Sequence, residues 1–453
     1  MRRLLMVTYF FPPVGGVGVE RTLKHVTYLP ENGWEPVVLA PANSAYRLVD
    51  DATLERVPAG TNVHRVATLE PGHLRRLIGR VVGPARRGPA SVRADAPGGG
   101  SGAAAVPNAS RARAAANAAW AWAVPRIFFP DEQVLWAPAA VRAGRQIHAD
   151  HPVDAIYSSS PPISGHLAAA SLARRLDLPW IADFRDPWIG NAYAHDLGAA
   201  HRALQRCLER RIVERASRVI LPTADLLDEY AERYPAAAAR MAHIPNGYDL
   251  AELESLSATA PGASRGDGRF ELIYAGSLYG EQELHLFLDG MELLLARRPD
   301  ARERLLVTFA GWFSAANQQI AAKRLPSFGA VVRQLGFLPK ADVIARERAA
   351  DAGLVLLAHA LGRGAVAPAK TYEYLGLDLP VLAVAPPGEL RRILEELHWG
   401  VVADPTPHGV ADGIERLMAA PPRSAVADPE RRYERRALTR RLAAILDEVT
   451  SDA

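Results

Sequence analysis

A lysine and a glutamate three residues apart, Lys370 and Glu373, stand in the run Ala365-Val-Ala-Pro-Ala-Lys-Thr-Tyr-Glu-Tyr-Leu-Gly376. That spacing puts both side chains on one face of a helix. Pro368 suits the first turn of such a helix, where a missing N–H costs nothing. The free N–H groups of a helix start suit a phosphate, Arg363 and Lys370 supply positive charge, and Glu373 can accept hydrogen bonds from a ribose diol. Read alone, the pair is equally an exposed ion pair on a surface helix, which is worth little.

The surrounding elements favour a binding site. Asp351 to Ala358 reads as a buried parallel strand and His359 to Ala367 as the loop beyond its carboxyl end. In open α/β sheets ligands bind at that end. Leu379 to Val384 is a second short apolar run behind a Gly/Pro turn, again a buried strand. Two further groups stand at predicted carboxyl ends. After the strand Leu4–Phe11 comes Pro12-Pro-Val-Gly-Gly-Val-Gly-Val-Glu20, a loop whose Gly15 and Gly16 let backbone approach a ligand closely. After an apolar strand beginning at Trp180 come Asp183, Arg185 and Asp186. Asp183 and Asp186 are candidate functional carboxylates at that end. Their structural readings are an ion pair of Asp183 with Arg185 and an Asp-Pro turn at Asp186. Gly16-x-Gly18 departs from the dinucleotide fingerprint because Arg21 holds the third glycine position, and no P-loop is present.

At 453 residues the chain exceeds a single core, so two or three domains are expected. A hydrophobic fraction of 49% and a charged fraction of 23% are ordinary for a globular protein. A net charge of +3 gives no reason to expect a nucleic-acid partner. The single cysteine, Cys207, cannot form an intrachain disulfide, which fits a reducing cytoplasm. No zinc spacing is present, no metal site is expected, and no apolar run approaches the ~20 residues of a membrane span.

Strands predicted at Leu4–Phe11, Trp34–Ala40, Val63–Ala67, Val153–Tyr157, Trp180 onward and Arg218–Pro222 form one βα-alternating half. In this reading Ser158 to Ser164 is a turn. A second half follows with strands at Glu271–Ala275, Leu305–Ala310, Val332–Gly336, Gly353–Ala358, Val381–Val384 and Val401–Ala403. The expected architecture is α/β, with two Rossmann-like parallel-sheet domains facing each other across a cleft. The predicted layout is an N-terminal domain over 1–250, a polar linker over 251–269, a C-terminal domain over 270–425 and a terminal helix within 426–453 that packs back on the first domain. Residues 83–113, rich in Gly, Ala, Pro and Arg, read as a disordered insertion.

Five segments carry a family resemblance: Tyr9-Phe-Phe-Pro-Pro-Val-Gly-Gly16, Asp183-Phe-Arg-Asp-Pro-Trp188, Ile244-Pro-Asn-Gly-Tyr-Asp249, Tyr274-Ala-Gly-Ser277 and Pro368-Ala-Lys-Thr-Tyr-Glu-Tyr-Leu375. In this order they resemble the family 4 glycosyltransferases of the GT-B fold, over nearly the whole chain except residues 71–115. The resemblance implies a retaining, metal-independent transfer from a nucleotide diphosphate sugar, with no cofactor. The acceptor would be a glycan, a lipid-linked or a small molecule, in cell-envelope polysaccharide or glycoconjugate biosynthesis. It also implies that Gly15 and Gly16 approach the donor diphosphate or the acceptor, that Gly276 and Ser277 line the donor pocket and that Glu373 holds the ribose hydroxyls, with Asp183 or Asp186 to accept the acceptor's proton or bind sugar hydroxyls, while Arg363 and Lys370 join the donor-binding set through their charge.

Two departures stand out. The family's Glu-x7-Glu pair has Val366 at its first position, and the Arg/Lys pair expected after the Gly276 strand is absent from Leu278-Tyr-Gly-Glu-Gln282. Lys370, ahead of Arg363, is the candidate to replace that charge. Two rivals share the architecture: a nucleotide-sugar 2-epimerase, and a nucleotide-sugar-binding protein with impaired catalysis.

Pro71 to Arg93 holds six arginines and no acid. Leu74, Leu77, Ile78, Val81 and Val82 fall on one helical face, with Arg75, Arg76 and Arg80 off it, a pattern that suits an anionic membrane surface. A peripheral position at the inner face of the cell membrane is therefore expected, against the alternative of a core-facing surface helix. Each arginine contributes ~1 kcal/mol at such a surface, and salt screens the attraction. Wild type should co-sediment with anionic vesicles at low salt, and an Arg75/Arg76/Arg80→Gln variant should not; equal, negligible pelleting of both would remove the membrane reading.

Overall fold

The computed structural model describes residues 1–46, 49–73, 75, 111–190, 197–259, 268–278, 281–357, 367–419 and 426–451. Most of the basic stretch 71–93, the insertion up to residue 110, and the positions of Arg363 and Val366 lie outside the described residues. The chain divides into two compact units: Met1–Pro222, Leu226–Ile244 and Thr439–Ala453 form the first, Thr223–Asp225 and Pro245–Leu438 the second.

In the first unit seven strands build one sheet. They are β1 (Arg2–Val7), β2 (Trp34–Pro41), β3 (Asn62–Val66), β4 (Ala155–Ser160), β5 (Trp180–Phe184), β6 (Arg218–Leu221) and β7 (Met241–His243). Their order is β3-β2-β1-β4-β5-β6-β7, and every pairing is parallel. Leu4 to Val7 are fully buried, as a strand covered on both faces requires. Helix α1 (Val17–Tyr28) follows β1, and α2 (Ser164–Leu176) follows β4. The order reverses between β1 and β4, so the carboxyl ends of these two strands flank the switch point.

Two predicted boundaries shift. β1 ends at Val7, because the Tyr9 side chain turns to donate a hydrogen bond to Glu70 Oε1 at 2.6 Å and two prolines follow. β4 runs through Ser158, Ser159 and Ser160, which were expected in a turn. Its polar end is tolerated because Ser158 Oγ accepts from Trp180 Nε1 at 2.8 Å and bonds His166 Nδ1 at 2.7 Å.

The second unit begins with a helix, α3 (Leu250–Thr259), where a linker was expected. Leu250, Leu253 and Leu256 pack into the apolar cluster around Tyr372 and Leu375, a periodicity that the polar composition conceals. Six strands follow: β8 (Phe270–Ala275), β9 (Leu305–Ala310), β10 (Val332–Gly336), β11 (Ala352–Leu356), β12 (Val381–Val384) and β13 (Val401–Ala403). They form a second all-parallel sheet, ordered β10-β9-β8-β11-β12-β13, with the reversal between β8 and β11. Helix α4 (Lys340–Ala349) leads into β11, and α5 (Ala369–Gly376) lies between β11 and β12. Both units are thus Rossmann-like. Among the described residues no helix is long and apolar enough to cross a membrane.

The glycine of Asn246-Gly247 in the second unit has a steric basis, although no turn forms there. Tyr248 N donates to Tyr433 O at 3.0 Å and Arg435 N to Tyr248 O at 2.8 Å, so two backbones run in contact. A Cβ on Gly247 would stand 2.0 Å from Tyr433 O. Gly33, by contrast, sits at φ +82 with nothing within 4 Å of its missing Cβ. Gly33→Ala should therefore cost about 1–2 kcal/mol from backbone strain alone. Gly247→Ala should cost more, about 3 kcal/mol, because packed backbone must shift. Urea midpoints of the two variants check the ranking; a smaller loss at Gly247 would contradict it.

Candidate functional site

In the second unit the switch point gathers side chains from β8, α4 and α5. Gly276, at φ +127, directly follows β8, and its N–H donates to Ala310 O at 2.8 Å. A Cβ there would lie 3.3 Å from Lys370 Nζ, so glycine gives the lysine its place as well as the backbone its turn. Lys370 projects from the first turn of α5, and its ammonium rests 3.4 Å from the centroid of the Tyr274 ring. Tyr274 is fixed in turn, its hydroxyl donating to Ser277 O at 3.0 Å. One turn along α5, Glu373 forms an ion pair with Lys340 at the start of α4. Burial lowers the Lys370 pKa to about 7, against the opposing charges of Glu283, Glu347 and Glu373.

What holds α5 in this position is Tyr374. Its hydroxyl donates to Ile273 O at 3.2 Å and accepts from Ala275 N at 3.1 Å, which ties the helix to the end of β8. Gly353 in β11 makes room, since a Cβ there would stand 2.5 Å from the Tyr374 ring. The eight-residue α5 starts without a side-chain cap. Its first N–H groups lie beside Lys370, so the local field is positive where a phosphate would sit.

Lys370 and Glu373, paired by their spacing, thus lie on the helix whose lysine reaches Gly276, next to Ser277, the two residues that the resemblance implied; Arg363 lies outside the described residues. Lys340, Glu347 and Tyr274 were not singled out in the sequence. The usable signal was there: Lys340 and Glu347 are seven residues apart, two helical turns on one face of α4.

The remaining candidates belong to the first unit. Gly15 is buried, and Gly16, exposed at φ +93, caps α1. Asp183 corrects an expectation. It is fully buried and pairs with Arg21, not with Arg185. Arg21 Nε donates to Asp183 Oδ2 at 2.7 Å and Nη2 to Oδ1 at 3.0 Å, and the Tyr157 hydroxyl donates a further bond. Burial alone would raise its pKa, but the Arg21 charge and hydrogen bonds outweigh burial and hold it below the usual carboxylate value. With both oxygens engaged, Asp183 organises the ends of the strands and is not poised to take a proton. Arg185 instead staples the glycine loop, donating to Gly18 O and, at 2.6 Å, to Pro161 O. Asp186 is exposed just beyond β5 and remains the accessible carboxylate of the pair.

The glycosyl transferase 4-like domain model matches residues 91–247. None of the curated protein sequences matches the chain. Solved structures with a similar fold include sucrose-phosphate synthase from Thermosynechococcus elongatus, at a TM-score of 0.61 and 13% identity over 100% of both chains. The HepE protein of Anabaena in complex with UDP gives a TM-score of 0.55 at 13% identity, over 100% of this chain and 98% of that one. UDP-GlcNAc 2-epimerase from Methanocaldococcus jannaschii gives 0.51 at 10% identity, over 98% and 99%. These likenesses are of fold.

The Lys370 environment has a measurable signature. Its folded pKa of about 7 lies below the ordinary lysine value of 10.5, so between these limits the unfolded chain binds the extra proton. Stability should accordingly rise with pH across that window, by an amount on the order of 5 kcal/mol at most, and this rise should be absent below it. Lys370→Met should lose that rise, seen as the difference between urea-midpoint curves of variant and wild type; parallel curves would show that Lys370 titrates normally.

Proposed function

We propose that this glycosyltransferase, with its glycosyl transferase 4-like domain and GT-B fold, moves a sugar from a nucleotide diphosphate sugar to an acceptor with retention of configuration. The observation that carries the reading is the convergence of Lys370 and Glu373 beside Gly276, at the switch point of the second sheet. Gly276 lets the donor's backbone-facing side come close. The start of α5 and Lys370 take the diphosphate, and Glu373 accepts hydrogen bonds from the ribose hydroxyls. Charge grows on the leaving diphosphate as the glycosidic bond breaks, so helix-start N–H groups and the Lys370 amine, whose proton the diphosphate's own charge retains, stabilise the transition state.

The first unit takes the acceptor, near the glycine loop after β1 and the end of β5. Asp186 is the group in reach of solvent that suits an acceptor hydroxyl, while Asp183 keeps the strand ends in register. The acceptor is a glycan, glycolipid or small molecule of envelope or glycoconjugate assembly, and the reaction runs in the cytoplasm at or near the inner membrane face. No metal is required in this reading.

Thermal-shift screening against UDP-, GDP- and dTDP-sugars identifies the donor, since a ligand at 100 times its Kd stabilises by ~2.7 kcal/mol. Glu373→Gln should weaken that binding by ~1.5–3 kcal/mol, the scale of a charge-assisted hydrogen bond. Transfer should persist in EDTA. Unchanged donor affinity in the variant would remove the ribose assignment, and turnover of the sugar without any acceptor would point to epimerisation.

A further inference from the structure

Beneath the ion pair of Lys340 and Glu373 lies a carboxyl group that nothing so far uses. Glu347 projects from α4 two turns beyond Lys340 and is fully buried. Neither of its oxygens receives a hydrogen bond from a donor among the described residues. Ile344 on the same helix and Ala350 just past its end are buried apolar residues of the core. An apolar side chain would pack there without leaving a polar group unsatisfied, and an unpaired buried carboxyl is costly. The position is thus held by a group that packing disfavours.

The carboxyl is aimed at the candidate site. It faces the Glu373 carboxyl and lies in the field of Lys340 and Lys370. Two helices each present one lysine and one glutamate to the same point, at spacings of seven residues on α4 and three on α5. Two carboxylates cannot both stay ionised at close range in a buried place, so one takes a proton. Glu373 is partly exposed and already paired with Lys340, so Glu347 is the one that stays neutral. Burial first, and then the charge of Glu373, raise its pKa well above the ordinary carboxylate range.

We propose that Glu347 is a positioning residue of the donor site, which holds Glu373 through a carboxylic acid–carboxylate hydrogen bond. Its O–H donates and Glu373 accepts, so the glutamate that takes the ribose diol is gripped from below and Lys340 is free to move aside. Glu347 itself touches no substrate. The inference rests on the donor reading of Glu373 and adds what fixes that residue.

The test is calorimetric binding of UDP, GDP and dTDP to wild type, followed with the tightest of the three for Glu347→Gln, Glu347→Leu, Glu373→Gln and the double variant Glu347→Leu/Glu373→Gln. Gln retains a donor in the same shape, so Glu347→Gln should bind within about twofold of wild type. Leu removes the donor, so Glu347→Leu should weaken binding about tenfold, the worth of one charge-assisted hydrogen bond. Its melting temperature should be equal or higher, because an apolar group then fills an apolar place. The double variant should bind no worse than Glu373→Gln alone, since the two residues act as one unit. Wild-type affinity in Glu347→Leu, with Glu373→Gln still weakened, would overturn this inference and leave the donor site standing. An unaffected Glu373→Gln would overturn the donor reading and this one with it.

Discussion

A sheet whose strand order reverses must part its central strands, and the backbone groups at the parting need partners. β8 and β11 pair only at Leu272 with Ala352 and Ile273 with Gly353. Beyond that point the carbonyl of Ile273 and the N–H of Ala275 face a gap. The phenol of Tyr374 fills it, donating to the one and accepting from the other. Left unmet, two buried backbone groups would cost several kcal/mol, on the order of 1–3 each. The same two bonds fix α5 in rotation and height, and so fix Lys370 four residues before Tyr374 and Glu373 beside it. Closing the sheet and aiming the site are one interaction.

That economy explains which parts were readable from the sequence. The alternation of short apolar runs with helical stretches marked both sheets, and strands such as Leu305–Ala310, Val332–Gly336 and Val381–Val384 appear at their predicted bounds. Lys370 and Glu373 were legible because helical spacing is local information. Tyr374 was in view too, inside the same motif, but its role depends on a strand a hundred residues earlier in the chain. No local pattern carries that. Lys340 and Glu347 escaped for the same reason, since their meaning lies in what α5 brings opposite them. Leu250 to Thr259 failed differently: polar composition outweighed a leucine periodicity that only burial makes plain.

In the first unit, charge was misassigned by proximity. Arg185 stands two residues from Asp183, yet consecutive odd positions near a strand end do not guarantee contact. The bidentate partner is Arg21, from the helix after β1. Arg21 is also the residue that breaks the dinucleotide glycine pattern, so the exception to one motif is the support of another. A buried pair of this kind adds little to net stability, while losing one member leaves an uncompensated charge. Its contribution is to hold the switch-point ends of β4 and β5 against α1 in one register, with Tyr157 as the third member.

The division of the chain bears on how it is made. The residues from Thr439 onward belong to the first unit, where Trp34 Nε1 donates to Asp447 Oδ1 at 2.8 Å, Arg2 Nη1 to Thr450 Oγ1 at 2.8 Å, and His25 Nδ1 meets Thr439 Oγ1 at 2.9 Å. β1, β2 and the helix between them therefore wait for a segment synthesised more than four hundred residues later. Translation proceeds at about 5–20 residues per second, so tens of seconds separate the two. During that interval the indole of Trp34 and the imidazole of His25 lack these partners, while the second unit, whose main body is contiguous, can complete itself in passing. The first unit is thus closed only after the body of the second has been made.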